Sequence, residues 1–503
     1  MFRRLGLLFA AAPSLFACSG SDDNGPYELT AERRETFASE LESARTHLQV
    51  PGAAYALVAH GQVLEAKGLG VRNLDSKEPV TADTLFRVGS LTKSMSSALV
   101  ATRVDEGAVG WDSLATSLDP NFKLSDDALN VSVTLGELLG MGTGIGAPAP
   151  FWWEYQTPED VLNVVEAQPT TAPRGTFIYN NEVYASGVYL AVGAGGETRP
   201  LLDAYSEELK TRIFDPIGMS PAEVADDPAT VGEDYATSYM LSMFGEVSFT
   251  DQAVPFPLGG LAAAGSVVTS ASQLAKFLIT EMQDGLAPTG ERIATAENIQ
   301  RTKTGQTTIN ASASYGMGWI TEKEFGVPIL WHDGIIDGFR AFMISLPDDD
   351  AGLVLLSNGS NGDRLSLIAR ALLLRAVHGQ SAYSPSTIEA QFDADQLVLA
   401  DTAKGLNAQF DTAAYSSYLG EYDHSVSLAL HDDGTLWLEA PAAISGRLLD
   451  ASAITQSGLL VVVNGQFLGN LLRFVGDEQG DPRIEFLNQR DYKPVTVLHK
   501  LAN

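Results

Sequence analysis

Cysteine is nearly absent: the 503 residues contain one, together with 7 histidines. That excludes an internal disulfide framework and leaves no Cys/His pattern of zinc spacing. Basic residues are scarce as well. Against 63 Asp plus Glu stand 32 Lys plus Arg, a formal charge of −31, and nothing gathers the cations into a stripe that would displace counterions from a phosphate backbone. Nucleic acid is therefore not an expected partner, and the negative surface works against anionic substrates. No Gly-x-Ser-x-Gly elbow occurs, so the nucleophile of a conventional α/β-hydrolase lacks its anchor. What is plentiful is apolar residue, 45 % hydrophobic against 19 % charged, enough for two or three buried cores in a chain of this length.

The N-terminus reads as an address. Arg3 and Arg4 precede an apolar stretch from Leu5 to Ala17 that ends in small residues, the pattern of a signal peptide over 1–17. The stretch is shorter than the roughly 20 residues a bilayer-spanning helix needs. The single cysteine, Cys18, follows Leu15, Phe16 and Ala17, and a small, polar, acidic segment over 18–28 follows it like a tether. This resembles a bacterial lipoprotein signal, with Cys18 the residue acylated after cleavage. Phe16 departs from the smaller residue usual there. The expectation is an exported lipoprotein, periplasmic, outer-membrane-associated or on the cell surface, held to a membrane by its lipid.

The chain then divides into two bodies. Over 29–378 strand-like and helix-like stretches alternate. Ala53–His60 and Gln62–Val71, joined at Gly61, read as a hairpin. Thr92–Glu106 reads as an amphipathic helix, with Met95, Leu99, Val100 and Val104 apolar and Gly107 as its stop. Ile329–Trp331, Phe339–Leu346 and Gly352–Leu356 read as strands, with Asp348 to Asp350 a solvated turn between the last two, and Arg364–Val377 reads as a closing helix. Residues 379–413 read as a linker with at most a short helix. From 414 to 503 the pattern is strand-like, with turns at Asp432–Gly434 and Asn464–Gly465, a small antiparallel β-domain.

Ser90 and Lys93 stand three residues apart at the start of the first long helix, so their side chains share one face. A serine hydroxyl needs a base to take its proton, and a lysine serves only when burial favours its neutral form. The N–H groups at a helix start suit the oxyanion formed when a carbonyl is attacked. One such pair is also expected by chance in a chain this long, so companions decide its weight.

The companions are Phe177-Ile-Tyr179-Asn-Asn181 before an apolar helix over Val183–Val192, then Tyr315-Gly-Met-Gly-Trp319, then Trp331-His-Asp-Gly334 with Gly338 and Phe339. With these the sequence resembles the serine β-lactamase and penicillin-binding-protein superfamily: class C β-lactamases, DD-carboxypeptidases and esterases of that fold. Val104–Gly107 with Trp111 and Asp112, Leu138–Gly144, Ile213–Met219 and Gly259–Ser272 agree with its pattern, and the likeness covers nearly all of 29–378. It implies an α/β (α+β) fold, an antiparallel sheet flanked by helices with a helical subdomain. It implies Ser90 as the acylated nucleophile, Lys93 as its proton acceptor and Tyr179 as the phenol that shuttles protons to the leaving group. Asn181 is implied to hold Lys93 and the substrate amide. His332 to Gly334 is implied to be the third element, on the strand edging the cleft, and the N–H groups of Ser90 and Ile335 to be the oxyanion hole. No cofactor or metal is implied. The activity implied is a serine hydrolase acting on an ester or amide of a small-molecule or peptide substrate, of esterase or D-Ala peptidase type. The alternatives are a β-lactamase and, from another class, a penicillin- or peptidoglycan-binding receptor that does not turn over.

Several residues depart from the pattern. Lys303-Thr304-Gly305 spells the third element of many β-lactamases but precedes Tyr315 and has no strand-like run around it, so it reads as a decoy. Asp333 stands where many relatives carry a threonine that helps hold a substrate carboxylate, which tilts the reading from lactamase and carboxypeptidase toward esterase or amide hydrolase. Met141 and Gly142 replace a polar run beside the cleft. Phe151, Trp152, Trp153 and Tyr155 read first as core and second as an apolar acyl pocket. His47, His60, His378, His424, His431 and His499 are too dispersed for ligands. Tyr418 to Tyr422 resembles the start of the lipocalin-like domains appended to relatives.

Overall fold

The computed structural model describes residues 28–147, 154–241, 247–249, 257–406, 411–441, 444–450, 459–462, 471–476, 482–487 and 494–501. The signal-like segment with Cys18, the aromatic run Phe151 to Trp153 and the Asn464–Gly465 turn lie outside them. The chain forms two compact units, one of residues 29–239 and 255–385, the other containing 386–503.

The larger unit opens with α1 (Ala31–His47) and a hairpin, β1 (Gly52–Ala59) and β2 (Gln62–Gly70). The hairpin turns where it is expected, through His60 and Gly61 with φ of 52° and 69°, two left-handed residues whose twist suits paired strands. Helix α2 (Thr92–Asp105) carries Lys93, and α3 (Asn181–Gly193) starts at Asn181. After α4 (Ala271–Met282) and α5 (Ala296–Lys303) come β3 (Thr307–Thr308), β4 (Ala313–Tyr315), β5 (Ile320–Glu324), β6 (Val327–Ile336), β7 (Phe339–Leu346) and β8 (Ala351–Ser357), then α6 (Gly362–His378). The strands form one antiparallel sheet in the order β2-β1-β8-β7-β6-β5-β4-β3. Every residue of β1 and β8 is buried, as in a sheet covered on both faces. Helices α1 and α6 pack together with α6 on β7 and β8, and α4 lies on β1, β2 and β8. Against α3 pack α2, the helices Leu135–Leu139 and Pro158–Ala167, and a cluster that includes Phe122, Leu138, Val165, Val183 and Leu190. The fold is thus the sheet-and-helix arrangement the sequence implied.

Two elements differ from the sequence reading. Helix α2 is buried almost all round, from Thr92 to Arg103, not along one stripe. Its hydroxyls make this tolerable: Ser94, Ser97 and Thr102 donate to carbonyls three residues back, at 2.8, 3.0 and 2.8 Å, and Ser96 lies 2.8 Å from the Tyr205 hydroxyl. The stretch read as a linker holds α7 (Pro385–Gly405); proline suits its first turn and Ala, Leu, Gln and Glu its interior.

In the smaller unit, β9 (Gly420–Glu421), β10 (Ser427–Leu430), β11 (Leu436–Ala440), β12 (Ile444–Asp450), β13 (Leu459–Val462), β14 (Leu471–Gly476), β15 (Pro482–Leu487) and β16 (Pro494–His499) pair each with the next. A bridge between Tyr422 and Lys500 joins the two ends of this meander, closing it toward a barrel. Leu428, Leu436, Leu438, Leu472, Ile484 and Leu498 are buried in it, the alternation expected of strands with one covered face.

One polar linkage ties the sheet to α6. Arg370, 3 % exposed, pairs with Glu322 and with Glu324 at 2.7 Å, both on β5. Removing the cation leaves carboxylates without their counter-charge, so Arg370→Ala is expected to lose about 3–5 kcal/mol. Urea unfolding followed by circular dichroism measures this; a loss under about 1 kcal/mol would show the pair to be solvent-compensated.

Candidate active site

Ser90 lies in a single 3-10 turn, Gly89–Leu91, that runs directly into α2. Lys93, one turn on and wholly buried, has three oxygen neighbours: Asn181 Oδ1 at 2.7 Å, the Ala264 carbonyl at 2.9 Å and Ser90 Oγ at 2.9 Å. As an ammonium it donates to all three. As a neutral amine it donates to Asn181 and Ala264, which only accept, and its lone pair is left facing the serine hydroxyl. Burial pulls the Lys93 ammonium down to about 7, so both forms are available near neutrality.

The segment before α3 supplies the next groups. Asn180 caps the helix: its Oδ1 accepts from the Val183 N–H at 2.9 Å while its Nδ2 donates to the Gly146 carbonyl and Gln168. The cap fixes its neighbours on either side. Asn181 reaches Lys93, and Tyr179 places its hydroxyl 2.9 Å from Ser90 Oγ. Burial raises the phenol above its usual range, so it is protonated at neutral pH although 38 % of the residue is exposed. The Tyr179 ring meets those of Phe177, Tyr315 and His332 with centroids 6.4, 6.2 and 6.3 Å away.

His332, Gly334 and Ile335 come from β6. Burial, reinforced by the charge of Lys93, brings the His332 imidazolium down to about 3, so the ring is neutral. Its Nδ1 lies 2.6 Å from the Asp333 carbonyl, an acceptor, which assigns the proton to Nδ1 and leaves Nε2 to accept from the Tyr315 hydroxyl at 3.3 Å. Gly334 is the point of closest approach: a Cβ there would lie 2.0 Å from the Val88 carbonyl. Gly89, left-handed at φ 52°, likewise would place a Cβ 2.9 Å from the Ile335 nitrogen. Those two absences of side chain press the Ser90 turn against the strand and bring the Ser90 and Ile335 backbones side by side. Pairing of β5 with β6 ends at Trp331, so among the described residues His332–Ile336 has a sheet partner on one side only, β7.

The structure therefore brings together Ser90, Lys93, Tyr179, Asn181, His332, Gly334 and Ile335. Lys303 is not among them. At the end of α5, its Nζ donates to the Glu281 carbonyl at 2.6 Å and to Asp284 at 2.7 Å. Met141 is buried beside the Tyr179 segment, its carbonyl accepting from the Ile178 N–H at 3.2 Å. Of the aromatic run, Tyr155 is described and buried. His378 bonds Asp349 at 2.6 Å.

Sequence reasoning missed Glu182. It follows Asn181, is 2 % exposed, and its Oε1 has no hydrogen-bond partner among the described residues. Burial pushes its carboxyl up to about 7, and Lys93 acts against that rise. A Glu at the second residue of a helix reads as an ordinary favourable dipole contact; nothing local to the sequence marks it as buried.

This cluster on this fold defines the serine β-lactamase and penicillin-binding-protein-like class. The chain belongs to the Beta-lactamase family, whose profile matches residues 37–377. It is 27% identical to the unguisins hydrolase ungD' of Aspergillus campestris over 343 residues, 64% of this chain and 61% of that protein, so it spans about three fifths of that relative's length. It is 27% identical to penicillin-binding protein 4 of Amycolatopsis lactamdurans over 337 residues, 64% of this chain and 84% of that one. It is 25% identical to a D-aminopeptidase of Gluconobacter oxydans over 481 residues, 93% of this chain and 82% of that one. Among solved structures, the octameric penicillin-binding protein homologue from Pyrococcus abyssi superposes with a TM-score of 0.59 at 20% identity, covering 93% of this chain and 100% of that one.

A buried carboxylate favours the charged form of a neighbouring lysine. Replacing it by an amide, Glu182→Gln, is expected to lower the Lys93 pKa and move the acid limb of the pH profile of kcat/KM down by about one unit. The profile for a neutral p-nitrophenyl ester measures it; an unmoved limb would show that Glu182 does not act on Lys93.

Proposed function

We propose that the chain is a serine hydrolase that opens esters or amides by two-step acyl transfer through Ser90. The observation that carries this reading is that Lys93 Nζ and Tyr179 OH both lie 2.9 Å from Ser90 Oγ, a base and an acid on one nucleophile.

In acylation, the neutral Lys93 amine takes the Ser90 proton as Oγ bonds to the substrate carbonyl carbon. The carbonyl oxygen becomes an oxyanion, received by the N–H groups of Ser90 and Ile335. As the bond to the leaving oxygen or nitrogen breaks, the Tyr179 phenol gives it a proton and is reprotonated from the Lys93 ammonium. The two together act once as base and once as acid, and the cluster ends where it began with an ester on Ser90. In deacylation water adds to that ester, its proton passing to the same pair, and Ser90 leaves as the alcohol. Asn181 keeps Lys93 aimed through both steps, and the neutral His332 keeps Tyr315 packed against the Tyr179 ring without adding charge.

The substrate is a small ester or a peptide amide rather than a penicillin, because Asp333 puts a carboxylate where a penicillin carboxylate would have to lie. Export as a lipoprotein acylated at Cys18 completes the proposal: the body would work close to a membrane surface, tethered by residues 18–28. Among the described residues no helix is long and apolar enough to cross a membrane.

Intact-mass spectrometry after exposure to p-nitrophenyl butyrate, a D-alanyl peptide and penicillin G reports both acceptor and lifetime. A transient acyl adduct with steady turnover of the ester is expected; a stoichiometric adduct that never clears would instead favour the receptor. Ser90→Ala is expected to abolish labelling by a fluorophosphonate with the circular dichroism spectrum unchanged. Tyr179→Phe is expected to lower kcat about 10²- to 10⁴-fold, the range of a lost general acid. Labelling that survives in Ser90→Ala would move the nucleophile elsewhere.

A further inference from the structure

Asp333 sits on the strand edge between His332 and Gly334 with 48 % of its side chain exposed. Within 4.0 Å of its carboxylate the only basic side chain, among the described residues, is His332, at 4.0 Å, and that ring is neutral. Arg340, opposite Ile335 on β7, turns a guanidinium nitrogen to the Phe339 carbonyl at 2.9 Å and divides its charge between Asp333 and Asp363 at the start of α6. Burial and Asp363 raise the Asp333 carboxyl while Arg340 and Lys93 lower it, and with two carboxylates sharing one guanidinium a further cation would favour the charged form of Asp333.

The surroundings suit one kind of ligand. Asp333 Oδ1 lies 4.0 Å from His332 Nδ1, and the His332 ring lies 6.3 Å from the Tyr179 ring, so the carboxylate stands on the flank of the site that also carries the phenol. Tyr179, 38 % exposed, offers an aromatic surface there, and Ile335, 58 % exposed, an apolar one. A carboxylate beside an aromatic ring and an aliphatic side chain is the donor set for an organic ammonium group.

We propose that Asp333 selects substrates whose leaving group carries an ammonium group, drawn to its carboxylate on the flank that also carries the Tyr179 ring. Asp333 is a specificity-determining residue: it adds no proton transfer, and its charge attracts a cationic leaving group and repels an anionic one. The inference rests on the acyl-transfer reading of Ser90.

Three thioesters with one acyl group test it: butyrylthiocholine, its uncharged carbon isostere S-(3,3-dimethylbutyl) thiobutyrate, and S-butyryl-3-mercaptopropionate, with thiol release read by a chromogenic disulfide. The full chain is expected to favour the thiocholine ester over the isostere by about tenfold or more in kcat/KM, less at high salt, and to disfavour the propionate. Asp333→Asn is expected to bring the cation-to-isostere ratio toward one, and Asp333→Lys to favour the propionate. These ratios are internal to each variant and do not depend on how much of it folds. A ratio of one in the unaltered chain, or a ratio that Asp333→Asn leaves in place, overturns the inference while the isostere still reports turnover through Ser90. If no thioester is cleaved and Ser90 is never acylated, the acyl-transfer reading falls and takes this one with it.

Discussion

The withdrawal of one amine from water governs this site. Lys93 is buried on its own helix α2 against α3 and the short helix Ala262–Gly265, and that burial is why its nitrogen holds a lone pair near neutral pH. Much of the surrounding architecture serves this confinement. Helix α2 is buried nearly all round so that the lysine has no path to solvent along its own helix, and its serines and threonines close their hydrogen bonds locally so that the burial leaves few unpaired groups. The Asn180 cap sets the start of α3, and that start aims Asn181 at the amine. The sheet contributes from the far side, where Gly334 and Gly89 let two backbones approach as no other residue would permit.

The same confinement explains what was legible in the sequence. Contacts that arise within one element are written in spacing: Ser90 and Lys93 at one helical turn, the hairpin at His60-Gly61, the cap and reach of Tyr179-Asn180-Asn181. The strands β7 and β8 show as apolar runs because nearly all of their residues are buried. Other parts are not written locally. Helix α1 has a largely polar sequence with Phe37, Leu41 and Ala44 as its buried residues, too narrow a stripe to stand out. Strand β5, Ile320–Glu324, is mostly charged, and its glutamates make sense only once Arg370 arrives from α6, some fifty residues later. Glu182 belongs with these, since its burial is a property of the packing around α3. Lys303-Thr304-Gly305 is the converse: a legible motif whose lysine is engaged elsewhere by Asp284.

Electrostatics divides the cleft into two regions. Deep in it, burial neutralises: Lys93, His332 and Tyr179 all tend to their uncharged forms, so proton transfers among them move little net charge through a poorly screened space. At the rim Asp333 is half-exposed and keeps company with Asp363 and Arg340. Two residues adjacent in sequence fall on either side of that boundary: the His332 side chain is 1 % exposed and that of Asp333 48 %.

A strand with an open edge offers it to any other chain. Among the described residues the run of β6 left open on the β5 side is His332 to Ile336, and it is interrupted by a carboxylate and a glycine, features that discourage indefinite edge-to-edge stacking into fibrils. The acid at 333 thus acts as a gatekeeper, keeping an open edge beside Ser90 from becoming a seed for aggregation.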